Sequence, residues 1–256
     1  MTSAELDLFF RERLDIAGFS EIDSSMNGIQ VDNTPETEIK KIAFAVDACL
    51  ESFKRAAAAG ANMLFVHHGL FWGKPESIAG YVRRRIEFLL KNNIALYAVH
   101  LPLDQSPELG NNASLAQILG LQNIKPFGTY HGRKIGFKGD FETPVTIDEA
   151  VKRITFMGRP PAAVHAFGGR QIKTCGIISG GAAMEAQQAI EEKLDLYVTG
   201  EAAHSIYHIA EEAKLNIISG GHYNTEVWGV KRVMECCKEN FKNDLEVEFI
   251  DIPTGL

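Results

Sequence analysis

The chain is predicted to form two linked α/β domains with mainly parallel sheets, and three observations predict it. Short apolar runs alternate with helical stretches, the arrangement of a parallel sheet with helices on its faces. The runs are near-continuous in apolar residues, as strands covered on both faces are. The alternation restarts near residue 125, so the chain divides into a first domain over 1–125, completed by 222–256, and a second over 126–221.

Each element has its own signal. Thr2 and Glu5 make a capping box, with Leu6, Phe9, Phe10 and Leu14 at helical spacing behind it. Asn27-Gly28-Ile29-Gln30-Val31 reads as a turn into an extended segment. Residues 41–46 form a strand, 51–59 an alanine-rich helix closed by Gly60, and 63–66 a buried strand that runs into His67-His68-Gly69. A helix over 78–91 and a strand over 94–99 follow, the strand running into His100-Leu101-Pro102-Leu103-Asp104. Residues 112–119 are helical and end at Gly120.

In the second half, 133–141 reads as extended and 146–157 as a helix capped by Thr146. Strands are expected over 162–166, 172–179, 194–198, 215–219 and 245–252. Helices are expected over 183–193, from Glu201 to about 214, and over about 225–238.

Composition narrows the function classes. The chain has 256 residues, 45% hydrophobic and 23% charged, the balance of a globular protein. Its net charge of -7 and pI of about 5.6 argue against gripping nucleic acid through the overall field, because that needs clustered Lys and Arg. The first residues carry neither a basic nor an apolar region of a signal peptide, and no apolar run approaches the roughly 18 residues of a membrane span. The four cysteines, Cys49, Cys175, Cys236 and Cys237, form no C-x-x-C pair. The expectation is a cytoplasmic protein with reduced thiols and no membrane partner.

In open parallel sheets ligands collect beyond the carboxyl ends of strands. Four such ends carry ligand-type residues: His67-His68, Asp104 with His100 nearby, Glu201, and His222. His222 and Glu226 are four apart, one helical turn on one face. Imidazoles mixed with carboxylates suit a first-row divalent ion, and the absence of Cys argues against a structural thiolate zinc site. His67, His68, Asp104, His222 and Glu226 exceed what one tetrahedral ion needs; two ions roughly 3.5–4 Å apart with a bridging carboxylate would use them all. Read separately, each has a plainer account: a chance His pair, a turn at Asp104, a helix-end pair at His222 and Glu226.

Other residues are weighed against plainer roles. His204 and His208 are four apart on a helix, but read better as neighbours of the site than as members of it. Glu201 and His100 are candidates to relay protons. Phe71 and Trp72 could stack on a planar substrate, though packing around the site is the simpler reading. Ser179-Gly180-Gly181 is a weak candidate phosphate cradle. His131 and His165 read as structural.

Several of these segments occur together in a known family. His67-His68-Gly69-Leu70-Phe71-Trp72 resembles the HH-x-x-FW signature of the Nif-three-like family, the GTP cyclohydrolase 1 type 2 homologues. Asn27-Gly28-Ile29-Gln30-Val31, His100 to Asp104 with Glu108-Leu109-Gly110-Asn111-Asn112, Thr199-Gly200-Glu201, and Gly221-His222 with Thr225-Glu226 resemble it too, in order. Phe249-Ile250-Asp251-Ile252-Pro253 fits its short bacterial branch. The chain departs from longer members at Ser25-Met26 and Asp32, which flank the Asn27 segment and leave the ligands untouched.

The resemblance implies a dinuclear centre held by His67, His68, Asp104, His222 and Glu226, with Asp104 as the bridge. It implies strand carboxyl ends facing a cleft between the two domains, and a ring-shaped homohexamer. Two divalent ions (Zn, Fe, Mn or Ni) would acidify a water and polarise the bond under attack, so a metal-dependent hydrolase of a nucleotide-like or other small molecule is expected. The alternative is a non-catalytic role in metal storage or delivery, or as a ring-shaped scaffold. Nucleic-acid binding is the least favoured.

Overall fold

The structure is a computed structural model that describes residues 1–74, 76–242 and 244–256. Its contacts gather into two units, one of Met1–Leu103 with Val230–Ile252 and one of Asp104–Gly229 with Pro253–Leu256. The first unit is discontinuous and closed by a later segment. The division comes earlier than residue 125, because the helix that follows Gly110 buries Leu115, Ala116 and Leu119 in the core of the second unit.

In the first unit, α1 (Ser3–Arg13) starts at the capping box of Thr2 and Glu5. It is followed by β1 (Gly28–Val31), β2 (Lys41–Asp47), α2 (Leu50–Ala58), β3 (Met63–His68), α3 (Gly80–Lys91) and β4 (Ala95–Ala98). Chain order then gives α4 (Leu101–Gln105) and, in the second unit, α5 (Asn111–Leu119), β5 (Leu121–Tyr130), β6 (Arg133–Val145), α6 (Ile147–Ile154), β7 (Ala163–His165) and β8 (Ile172–Ile177). The remaining elements are α7 (Ala186–Glu191), β9 (Leu196–Thr199), α8 (His204–Ala213), β10 (Asn216–Ser219), α9 (His222–Phe241) and β11 (Glu246–Phe249).

The first sheet has the order β1-β4-β3-β2-β11. β4, β3, β2 and β11 are parallel and β1 is antiparallel to β4. Strand alternation sends Ala43, Ala45, Leu64, Val66, Leu96 and Ala98 to one face, where they pack with Phe53 and Ala56 of α2 and Leu89 of α3. Phe44, Phe65 and Tyr97 point to the other face, where Phe10 of α1 lies 5.0 Å from the Phe65 ring and 4.8 Å from Tyr97. Each such aromatic pair adds about 0.5–1.5 kcal/mol beyond the area it buries. Both faces are covered, which explains the continuous apolar runs. The parallel arrangement also puts the ends of β2, β3 and β4 on one edge of the sheet.

The second sheet has the order β5-β6-β8-β9-β10-β7 and is mixed rather than mainly parallel. Only β8–β9 and β9–β10 are parallel; β5–β6, β6–β8 and β10–β7 are antiparallel. The cause is a hairpin. Tyr130 pairs with Arg133 across His131 and Gly132, both at positive φ (45° and 83°), the two-residue turn that suits the twist of paired strands. This gives His131 its structural role. The core combines Phe141, Ile172, Ile177, Leu196, Val198 and Ile218 with α5 and α6. Among the described residues no helix is long and apolar enough to cross a membrane.

Candidate metal centre

In the first unit three histidines converge at the carboxyl edge of the sheet. His67 and His68 end β3, and His100 follows β4. Ring centroids are 4.5 Å apart for His67–His68, 5.1 Å for His67–His100 and 5.8 Å for His68–His100. One ligand nitrogen from each lies within 4.8 Å of the other two.

Each ring is oriented through Nδ1. That atom of His67, which is fully buried, faces the Val99 carbonyl at 2.9 Å. In His68 it faces Asp47 Oδ1 at 2.8 Å, and in His100 it faces Asp23 Oδ1 at 2.8 Å. All three acceptors are oxygens, so Nδ1 is the donor in each contact. Asp47 reaches His68 because β2 and β3 put the two residues in register.

Asp23 has a side chain with 0% exposure. It also accepts from the amides of Ser25 (2.9 Å) and Leu101 (3.0 Å) and from the Asn27 side chain (2.8 Å). Asn27 Oδ1 in turn accepts from the His100 amide at 2.7 Å. Burial works to raise the Asp23 pKa, but the hydrogen bond and charge of His100 with the other donors outweigh it and hold the carboxyl below its ordinary range. Gln30 Oε1 takes the amides of Leu70 and Phe71 and fixes the turn after the His pair. Phe71 packs against the first core, and Trp72 sits edge-on to His100 at 5.0 Å.

In the second unit, Asp104 lies in α4 and is 5% exposed. Its Oδ1 accepts from Asn111 Nδ2 and from Ser179 Oγ, each at 2.9 Å. Asn111 and Asn112 are fully buried. Asn111 Oδ1 accepts from the Gly229 amide at 2.7 Å, and Asn112 Oδ1 from the Ser179 amide at 2.7 Å. Ser179 and Gly180 are thus committed internally: the Gly180 amide donates to Thr225 at 3.1 Å. A phosphate cradle needs those amides, so this turn does not make one.

His222 opens α9, earlier than the expected start near 225, and so shares one helix face with Glu226. Its Nε2 lies 3.2 Å from Glu226 Oε2, and its Nδ1 lies 2.6 Å from Glu201 Oε1. Burial pulls the His222 pKa down, but Glu226 first and Glu201 next outweigh this and raise it to about 9. Glu226 is 3% exposed, while the side chains of His222 and Glu201 are 30% and 52% exposed. Glu201 precedes α8 rather than opening it, since the helix starts at His204. His204 and His208 lie on the exposed side of α8, and His208 Nδ1 is 3.4 Å from Glu211.

Each unit therefore carries part of the predicted ligand set: His67 and His68 in the first, Asp104, His222 and Glu226 in the second. The donor chemistry fits divalent first-row ions, because the imidazoles are pinned through the nitrogen a metal does not use. Asp23 and Asp47 are residues sequence reasoning did not single out, and Asn111 and Ser179 were not read as partners of Asp104. For Asp23 the available signal was Asn27, four residues on and already singled out.

A family model described as Duf34/NIF3 (NGG1p interacting factor 3) matches residues 1–255. Proteins named GTP cyclohydrolase 1 type 2 homolog from Archaeoglobus fulgidus and Pyrococcus horikoshii are each 41% identical to the chain, with 100% of both chains covered. Among solved structures, TTHA1606 from Thermus thermophilus matches with a TM-score of 0.90 at 37% identity over 100% of both chains. Reduced HcgD from Methanocaldococcus jannaschii matches with a TM-score of 0.84 at 28% identity over 98% of both. With matches that run the length of the chain in sequence and in fold, the protein belongs to the Duf34/NIF3 family.

Proposed function

We propose that the protein binds two divalent metal ions through His67, His68, Asp104, His222 and Glu226, and uses them to hydrolyse a nucleotide-like or other small molecule. The observation that supports the metal reading is shared by the three imidazoles: each has Nδ1 held by an oxygen acceptor. The name carried by the relatives supports a nucleotide-like substrate.

Bound ions would supply Lewis acidity and lower the pKa of a water. The chain's own residues supply the rest. Asn111 and Ser179 both donate to Oδ1 of Asp104 and fix the direction of its carboxyl group. Glu201 orients His222 and, being exposed, exchanges protons with solvent.

The test is metal analysis of protein purified without a chelating tag, with Asp104→Ala alongside. About two ions per chain in the wild type and none in the variant are expected. A panel of nucleotides and phosphoesters is then offered to the Mn, Zn and Fe forms. Bound ions without turnover of any compound would remove the hydrolase and leave a metal store or carrier. A homohexamer is part of the same proposal, and sedimentation at about six times 28.2 kDa checks it.

A further inference from the structure

We propose that His204, His208 and Glu211 form a separate metal site on the surface of the second unit, one that takes a single zinc, nickel or copper(II) ion. The inference goes beyond the reading above, shares no ligand with it and stands without it.

The helix itself lines the three residues up. α8 buries Ile206 and Ala210. At about 100° per residue, His204, His208 and Glu211 stand at i, i+4 and i+7, within roughly 60° of arc on the side away from that buried pair. Two histidines one turn apart on a helix have the spacing by which helices hold zinc, and a carboxylate completes a two-histidine, one-glutamate donor set.

The atoms stand near where an ion needs them. Two donors on one tetrahedral ion, with bonds of about 2.0–2.2 Å, lie about 3.4 Å apart. His208 Nδ1 and Glu211 Oε2 are 3.4 Å apart. The ring centroids of His204 and His208 are 6.5 Å apart. Both rings are exposed, and rotation of the His204 side chain brings a nitrogen to the same ion.

A plainer account is a solvated helix face with one ion pair. That pair is weak: its distance is at the long end for a hydrogen bond, and its side chains are 71% and 47% exposed. Packing does not need these rings either. Tyr207 anchors this side of α8, with its ring 5.1 Å from both His165 and Phe167. Among the described residues, the ring contacts of His204 and His208 are with each other and with Tyr207.

Two neutral imidazoles and one carboxylate favour zinc, nickel or copper(II) over magnesium or calcium. The dipole at the start of α8 opposes a cation beside His204, and the charge of Glu211 offsets it. Three protein ligands leave a position for water. An ion held this openly exchanges with solution, so it is additional to the two ions proposed above and is removed by dialysis.

The experiment titrates zinc into the full chain carrying His67→Ala and Asp104→Ala, with α8 untouched, and follows histidine side-chain nitrogen resonances. His204 and His208 should shift together and saturate with one ion. Adding His204→Ala should weaken the transition seen at His208 by about tenfold or more, because a single imidazole cannot chelate. Glu211→Gln should weaken it as well. Resonances of both residues that stay unmoved at millimolar zinc would overturn the proposal. So would a His208 midpoint that stays within about twofold after His204→Ala, the mark of a lone imidazole holding an adventitious ion. If the chain with His67→Ala and Asp104→Ala misfolds, the same titration of the wild type decides, since the resonances are read residue by residue. The dinuclear reading is judged separately, by the resonances of His67, His68 and His222 in the wild type.

Discussion

The hydroxyl of Ser179 donates to Asp104 at 2.9 Å across 75 residues of chain. It shares Oδ1 with the Asn111 amide, so two neutral donors aim one carboxylate. Ser179→Ala removes one of them and leaves the fold's larger contacts intact. Zinc affinity should fall roughly 10–100-fold, as it does when the hydrogen-bond partner of a metal ligand is lost. Calorimetric titration of wild type and variant checks this, and equal affinities would show that Asn111 alone suffices.

Gly180 sits at φ +65°, and a Cβ there would overlap Glu226 Oε1. Gly180→Ala therefore adds about 1–2 kcal/mol of backbone strain and pushes aside a buried carboxylate. The expected result is a lower urea midpoint together with a loss of bound metal. A variant that keeps full metal content would show that Glu226 can move without consequence.

The thiols divide into two classes. Cys175 and Cys237 are buried, and burial pushes both thiols well above their ordinary pKa. Cys49 and Cys236 are partly exposed. Because the thiolate is the reactive form, a chromogenic disulfide reagent at pH 8 should titrate no more than two thiols in the native protein and all four in denaturant. Rapid labelling of Cys175 without unfolding would contradict the burial.

Metal removal should show as lost stability. An ion that binds only the folded state, at about 100 times its dissociation constant, adds about 2.7 kcal/mol. Thermal unfolding of wild type with zinc should exceed that with chelator. His67→Ala combined with Asp104→Ala should bring the two curves together.

Much of this was legible in the residue order, and for a physical reason. β2, β3 and β4 are covered on both faces, so they appear as unbroken apolar runs, and the histidines stand where those runs stop. Thr2 and Thr146 announce α1 and α6 because a capping box is local. What stayed hidden depends on distant partners. β5 is an edge strand with mostly exposed side chains from Gln122 to Pro126, so it shows no apolar run. α4 is a five-residue helix with Pro102 in its first turn, too short for a periodic signal. Asp23 finds its ring partner 77 residues away, and the one local sign of it, Asn27, does not announce a buried carboxylate by itself.

The pairing of β2 with β11 has a consequence for how the protein is made. A ribosome delivers β2 about 200 residues before the strand that completes its outer edge. Through most of translation Ile42, Ala43 and Phe44 belong to a strand with one flank of backbone amides and carbonyls unanswered. During that interval the nascent chain is open to pairing with a neighbouring nascent chain on the same message. Synthesis rate and chaperone supply should therefore govern the yield of this protein more than the stability of its finished form.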